Sequence, residues 1–463
     1  MSNPTDRVWG LKYMNIILLS GGSGKRLWPL SNDIRSKQFI KFFKNSEGSH
    51  ESMLQRMYSG LKNIDNNCNI TIATSKSQVS TIHNQISGDY ALSVESARKN
   101  TFPAIVLAVN YLHEKKHVGE DESVIVCPID SYVEDSYFKA IKDLYEHVKK
   151  SDSDISLMGV MPTYPSEKYG YIIPKDTSTF SKITGFIEKP DKALAQKFIK
   201  QGAIWNCGIF AFKLGYLIKK SHEIIDYQGY DDLLENYSAL KSISFDNAVL
   251  EIEKSIDVMK YDGTWKDLGT WNTLTEEMDD NILGKGLIAD SCRNVHLVNS
   301  LDVPILCMGL KNVVVSAAPE GILVSDKKES SYLKDYIGSF DSTIMFSEKS
   351  WGTYCVLDKE QASMALRVTV NEGCHMSYHS HAKRDESWNI ISGTGIVVID
   401  GEEKQVKAGD VVVIRAGYKH TIKAITEMKL IEVQFGKNID VKDKVKYDLA
   451  NNSENCSRYD DAI

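Results

Sequence analysis

From Met14 to about residue 280, short apolar runs alternate with stretches of helical periodicity, and after about residue 281 the helical periodicity fades. "NIILLS" ends in glycines, "NITIAT" follows, and "SVIVCPID" ends in a carboxylate. Continuous apolar runs of this length suit strands buried on both faces of a sheet. Between them, "ESMLQRMYSGLKNI" carries Met53, Leu54, Met57 and Leu61 at helical spacing. "NTFPAIVLAVNYLHEKK" sets Pro103 near a first turn, with Ile105, Val109 and Leu112 on one side. Strand, helix and strand in alternation restrict this part to an α/β sheet with its working loops at the strand C-termini.

Beyond residue 281, "RNVHLVNS", "LKNVVVSA" and "EGILVSD" follow one another about nine or eighteen residues apart, a spacing that predicts a small β-helix-like stack. "SSYLKDYIGSFDSTIMFSEKS" then leads into short strands ("ALRVTV", "GIVVID", "DVVVIR", "KLIEVQF") with glycine turns, which predicts a small β-barrel or jelly roll. The expected units are 14–280, 281–337 and 338–450, with a polar, frayed tail "NNSENCSRYDDAI". A chain of 463 residues is too long for one core, in keeping with two to three domains.

A net charge of −7 argues against a non-specific nucleic-acid binder while leaving room for a local phosphate pocket. No apolar run approaches a membrane span, and "MSNPTDRVWGLKY" lacks a signal-peptide core, so it reads as an extension before Met14. Eight cysteines without a CxxC pair predict reduced thiols and a cytoplasmic location.

The first strand runs into "LLSGGSGKRLWPLSNDIRSKQF". Gly21, Gly22 and Gly24 let the backbone turn tightly and aim N–H groups at an anion, and Arg26 and Lys37 add positive charge. A plain βα turn with surface cations suits the same residues, and the glycines alone do not separate the two. A Walker loop is excluded, because Gly24-Lys25 is followed by Arg26 and position 19 is leucine. A dinucleotide fingerprint is excluded by Leu27 where a third glycine is needed.

The stretch resembles the signature G-G-x-G-x-R-L-x-P-L of the sugar-1-phosphate nucleotidylyltransferases, and with Trp28, "PLS" and "KQF" it is most similar to the mannose-1-phosphate guanylyltransferases. "RKNTFPAI", "PIDSYV", "GVMPTYPSEKYGYI", "GFIEKP", "WNCGIF", "SFDNAVLE" and "WKDLGTW" continue the resemblance in order over roughly 14–335. The resemblance implies a Rossmann-like domain in which a sugar-phosphate oxygen attacks the α-phosphorus of a nucleoside triphosphate, with pyrophosphate leaving; GTP and mannose 1-phosphate are the implied pair, and a transferase for another base or sugar phosphate stays open. Two anions must be held in line, so cations, a divalent metal and positioning matter more than a nucleophile. It further implies that Asp130 and Asp267 hold Mg²⁺, and that Ser20, Gly21, Gly22, Gly24, Arg26 and Lys37 bind the nucleotide. Lys189 would take the sugar phosphate, with Glu188, Asn206 and Gly170 at the sugar hydroxyls. Arg26, Lys37, Asp130, Lys189 and Asp267 are the implied catalytic set. The chain departs from the pattern at Lys25, Asn32 and Ile129-Asp130-Ser131, which bears on base and sugar rather than on the phosphate chemistry.

In "GCHMSYHSHAKRDESWNIISG", the spacing of Gly373, His379, His381, Glu386 and Gly393 resembles the first cupin motif, and Gly409, Gly417 and His420 resemble the second. Alternation puts both imidazoles of an HxH pair on one strand face. His379, His381, Glu386 and His420 form a set suited to a transition metal such as Zn²⁺, Mn²⁺ or Co²⁺, whereas His375 reads as an ordinary surface histidine. The domain order resembles guanylyltransferases fused to a type II mannose-6-phosphate isomerase, which implies roles for Arg384 and Glu386 in isomerisation. Four departures, the first histidine of HxH, Ser387, Arg415 and Thr421, leave three readings open. The cupin is a mannose-6-phosphate isomerase, an isomerase of another sugar phosphate, or a metal-binding module without that chemistry. The expected partners are small molecules, without nucleic acid or membrane, and a homodimer is left open.

Overall fold

The computed structural model describes residues 13–22, 24–32, 34–338, 340, 344–437, 439 and 443–447; all of the N-terminal extension but Tyr13, and the whole polar tail, lie outside them. A nine-stranded sheet forms the first unit. Its strands run, edge to edge, Ala91–Glu95, Asn69–Ser75, Asn15–Leu19, Ser123–Pro128, Ile204–Lys213, Ile155–Val160, Ile256–Tyr261, Phe180–Ile187 and Tyr171–Pro174. The first four are parallel, but Ile204–Lys213 enters antiparallel between Ser123–Pro128 and Ile155–Val160, so the sheet is mixed.

Helices cover both faces. Met53–Ile64 starts at a capping box in which Ser52 Oγ accepts from the Gln55 amide and Gln55 Oε1 accepts from the Ser52 amide. It buries Met53, Leu54, Met57 and Leu61 and packs beside Asp135–Val148 on one face. Thr101–Asn110, with Asn100 capping the Thr101 amide, lies on the other face with Leu214–His222. Each buried Leu, Ile or Phe in these layers contributes about 1.5–3 kcal/mol.

Between the barrel and the sheet, Ile282–Gly284, His296–Asn299 and Val313–Ala318 stack in parallel, and Gly286–Ile288 pairs in parallel with Ile305–Cys307. "EGILVSD" is not a further rung: Gly321–Asp326 folds back antiparallel on Val313–Ala318, because Pro319 and Glu320 make a tight turn. This unit is packed onto the first. Val298, Val314, Ala318, Leu323 and Leu333 share a core with Leu27, Leu30, Phe42 and Trp271.

The C-terminal unit is a six-stranded and a five-stranded sheet around a core that includes Val368, Trp388, Ile414, Ile422 and Leu430. Cys374 is disulfide-bonded, which corrects the expectation of eight reduced thiols; composition counts cysteines but not the proximity that lets two be oxidised. Among the described residues, no helix is long and apolar enough to cross a membrane.

Candidate active site and metal centre

Register brings the glycine loop and the two expected carboxylates together. Leu19 pairs with Pro128, so the glycine loop and Asp130 leave the sheet side by side. Trp265–Asp267 pairs antiparallel with Ser131–Val133, which sets Asp267 opposite Ser131 and next to Asp130. Lys37 Nζ lies 3.1 Å from Asp130 Oδ2 and 3.5 Å from Asp267 Oδ1, and donates to the Leu268 carbonyl at 3.2 Å. Burial pulls the Lys37 ammonium down, but Asp130 and Asp267 outweigh it and hold the group above its ordinary value. For Asp130, burial pushes up and Lys37 wins, leaving the carboxyl below the usual range.

The loop itself is braced from behind. Gln38 Nε2 donates to the Ser20 carbonyl, Ser36 Oγ donates to the Gly22 carbonyl, and Gln78 Nε2 donates to Ser36 Oγ. Ser20 Oγ is buried with no hydrogen-bond partner among the described residues. A Cβ on Gly21 or Gly22 would meet nothing within 4 Å, and Gly22 has φ +129°, so backbone N–H groups border open space there. Gly24 opens the short helical turn Gly24–Leu27. Arg26 is exposed, with Nη1 3.0 Å from where a Cβ of Gly269 would stand, which puts the guanidinium beside the Asp267 turn. Lys37 engages one oxygen of each carboxylate, so the second oxygens of Asp130 and Asp267 are hard donors that fit Mg²⁺.

The expected sugar-site residues also converge. The Asn206 amide donates to the Gly170 carbonyl at 2.8 Å, and Glu188 pairs with Lys189. A Cβ at Gly170 would stand 2.7 Å from Glu188 Oε2, which explains the glycine. Asp246 was not singled out from "SFDNAVLE", yet it accepts from Asn206 Nδ2 at 2.9 Å. Burial, helped by nearby Glu188, pushes its carboxyl up to about 6. The available signal was an acid in a segment quoted for its resemblance.

In the barrel, His379, His381, Glu386 and His420 are all buried, with ligand atoms within 4.8 Å of one another. Register explains two of them: His379 pairs directly with His420 across neighbouring strands. The Nδ1 atoms of His379, His420 and His381 face the carbonyls of Ser377 (2.6 Å), Tyr418 (2.9 Å) and Asp443. Donation from Nδ1 fixes the tautomer that leaves each Nε2 as a lone-pair donor. His420 Nε2 and Glu386 Oε2 stand 3.3 Å apart without a hydrogen-bond partner among the described residues, two buried acceptors that a cation between them would satisfy. Burial lowers His379 well below its ordinary value, which keeps it neutral and able to ligate. The residues therefore fit a transition metal.

Arg384 reaches the same cluster, with Nε 3.1 Å from Glu386 Oε1 and Nη2 2.9 Å from His381 Nε2. His375 is buried rather than on the surface, with its backbone bridged to Lys423, and it stands outside the cluster. Thr421 Oγ1 donates to the Met376 carbonyl, and Arg415 pairs with Asp385 on the surface. Glu432 and Gln434 were missed. Period-two continuation of buried Met428 and Leu430 points both inward, and Gln434 Nε2 bridges Glu432 (2.5 Å) and Glu386 (3.4 Å). Burial, with Glu386 nearby, pushes Glu432 up to about 8.

A nucleotidyl transferase family model matches residues 15–282, and a mannose-6-phosphate isomerase C-terminal model matches 343–449. The xanthan biosynthesis protein XanB of Xanthomonas campestris is 27% identical over 467 residues, covering 93% of this chain and 97% of its own. A mannose-1-phosphate guanylyltransferase of Salmonella montevideo is 26% identical over 480 residues, covering 93% and 98%. The crystal structure of a Thermus thermophilus protein titled mannose-1-phosphate geranyltransferase superposes with a TM-score of 0.59 at 25% identity, over 71% of this chain and 99% of that one. Because the first model spans more than half of the sequence and encloses the lysine between two carboxylates, the chain belongs to the nucleotidyl transferase family, with an isomerase-type cupin joined to its C-terminal side.

Proposed function

We propose that the chain transfers a guanylyl group from GTP to mannose 1-phosphate, giving GDP-mannose and pyrophosphate. The observation that carries this reading is Lys37 held between Asp130 and Asp267 beside the glycine loop, in a chain whose relatives bear the guanylyltransferase name over nearly their whole length. Bound Mg²⁺ would supply charge neutralisation between the phosphates. The backbone of Ser20, Gly21, Gly22 and Gly24 cradles the triphosphate, and Arg26 and Lys37 steady the charge that grows on departing pyrophosphate. Lys189 holds the sugar phosphate. Glu188, Asn206 and the Gly170 backbone fix the sugar so that its phosphate oxygen lines up with the α-phosphorus. Small molecules are the partners in this reading, the setting is the cytoplasm, and the working units break near 280 and 337. Pyrophosphate release from a panel of nucleoside triphosphates and sugar 1-phosphates tests it. Preference for another base or sugar by tenfold or more overturns it.

The cupin supports interconversion of mannose 6-phosphate and fructose 6-phosphate. Zn²⁺, Mn²⁺ or Co²⁺ held by His379, His381, Glu386 and His420 would polarise the substrate oxygens. Arg384 would hold negative charge, and Glu386 would serve as the base or as a ligand. One observation favours a second reading. Arg384 already satisfies His381 Nε2 and Glu386 Oε1, as a packing module without isomerase chemistry would. Turnover of mannose 6-phosphate by metal-stripped protein reloaded with each cation separates the two readings.

A further inference from the structure

Glu320 sits at the hairpin turn of the middle unit, outside both sites, yet its Oε1 is shared by the other two units. Asn32 Nδ2 donates to it at 3.0 Å, and the backbone amide of Phe346, in the first strand of the cupin, donates to it at 3.3 Å. Asn32 in turn organises the stretch that follows the glycine loop. Its Oδ1 accepts from the Ile34 and Arg35 amides at 2.9 and 2.7 Å, and its own amide donates to the Arg35 carbonyl. Ser36, Lys37 and Gln38 come directly after this turn, and each touches the phosphate site: Ser36 at Gly22, Lys37 at Asp130, Gln38 at Ser20.

Packing closes the same junction. Arg35 lies over the Phe346 ring, 5.3 Å from its centroid. Gly321 has φ +151°, and a Cβ there would stand 2.5 Å from Trp28, so the signature tryptophan rests on the turn that carries Glu320. The position of Asn32 is one where the chain departs from the resemblance noted above, and Glu320 is what this asparagine binds.

We propose that Glu320 is a positioning residue for nucleotide binding: by holding Asn32 and the Phe346 amide on one oxygen, it fixes the 32–35 turn that delivers Lys37 to Asp130 and Asp267, and so couples the cupin's first strand to the triphosphate site. A half-buried acceptor shared by two donors holds both in one arrangement, and losing it frees both. The site of sugar binding at Glu188 and Asn206 is not part of this chain of bonds.

The test uses the full chain and the four nucleoside triphosphates with Mg²⁺, measuring dissociation constants by titration and KM and kcat by pyrophosphate release. Glu320→Ala and Asn32→Ala are each expected to weaken binding of the preferred triphosphate by at least about 5-fold, the lower end of ordinary coupling between sites. The KM for sugar phosphate should stay put. Glu320→Gln, which keeps a carbonyl acceptor, is expected within about 2-fold of the parent, and the Asn32→Ala/Glu320→Ala pair no weaker than the poorer single variant. Unchanged triphosphate affinity in Glu320→Ala overturns the proposal, as does a loss of kcat alone, equal damage in Glu320→Gln, or additive losses in the pair. If Glu320→Ala does not fold, Asn32→Ala reads the same bond from its other side, and unchanged triphosphate affinity there overturns the proposal. A failure of the guanylyl reading would show in which triphosphate the parent prefers, not in how the variants compare with the parent.

Discussion

Lys37 Nζ stands 3.1 Å from Asp130 Oδ2, so a loop that follows the first strand delivers its cation to the end of a strand that joins the sheet much later in the chain. The adjacency of two parallel strands, rather than any local motif, creates the pair. Lys37→Ala should therefore lower kcat for pyrophosphate release by roughly 10²–10³-fold, the ordinary cost of removing a group aimed at developing charge. Lys37→Arg should recover little, because a guanidinium cannot sit as a point charge between two carboxylates. Steady-state kinetics with saturating Mg²⁺ checks both.

Asp246 provides a pH prediction. Its carboxyl is pushed up to about 6 by burial and by Glu188, above its unfolded value. The folded state therefore binds an extra proton between the two values. Stability linked to this group is fully present below the unfolded value and is lost as pH rises through about 6. Asp246→Asn, which cannot ionise, should show a flatter dependence of its urea midpoint between pH 4.5 and 7 than the parent. Identical slopes would mean that the buried carboxyl does not titrate there.

The cupin cluster predicts a metal. Three imidazoles with their Nδ1 atoms turned to carbonyls, and a buried carboxylate, should hold about one transition-metal ion per chain after reloading. His420→Ala should cut the bound metal at least tenfold by elemental analysis. Guanylyl transfer should stay within about 2-fold, because sites without shared partners are close to independent. Retention of full stoichiometry in the variant would place the metal elsewhere.

Trp271 ties the first two units together. It is fully buried, its Nε1 donates to the Trp28 carbonyl at 3.0 Å, and it shares a core with Leu27, Leu30, Val298 and Val314. Trp271→Ala should destabilise the protein by about 3–5 kcal/mol. Chemical denaturation followed by fluorescence and by activity would measure it, with the two signals falling together if the junction unfolds as one.

Much of this was legible beforehand, for particular reasons. Met53, Leu54, Met57 and Leu61 were expected on one helix face, and all four are buried there, because helical spacing is a local property. The HxH pair was readable because strand alternation fixes which of its residues share a face, and His379 and His381 are buried in one cluster. His375 was misjudged as a surface residue, since spacing tells whether a histidine fits a motif but not whether the barrel wall covers it. "EGILVSD" was placed in a stack from its spacing, whereas its pairing direction depends on the turn before it.

The sequence by itself determined the order of strand and helix around the glycine loop, and the motif that carries the four side chains His379, His381, Glu386 and His420, because each is written in short-range pattern. Only the tertiary structure decided that the sheet is mixed, that Asp246 shares a hydrogen bond with Asn206, that Glu432 reaches Glu386 through Gln434, and that Glu320 binds both Asn32 and the Phe346 amide. Those are contacts between residues far apart in the chain. Strand register and core packing set them, and a one-dimensional pattern encodes them only through the fold.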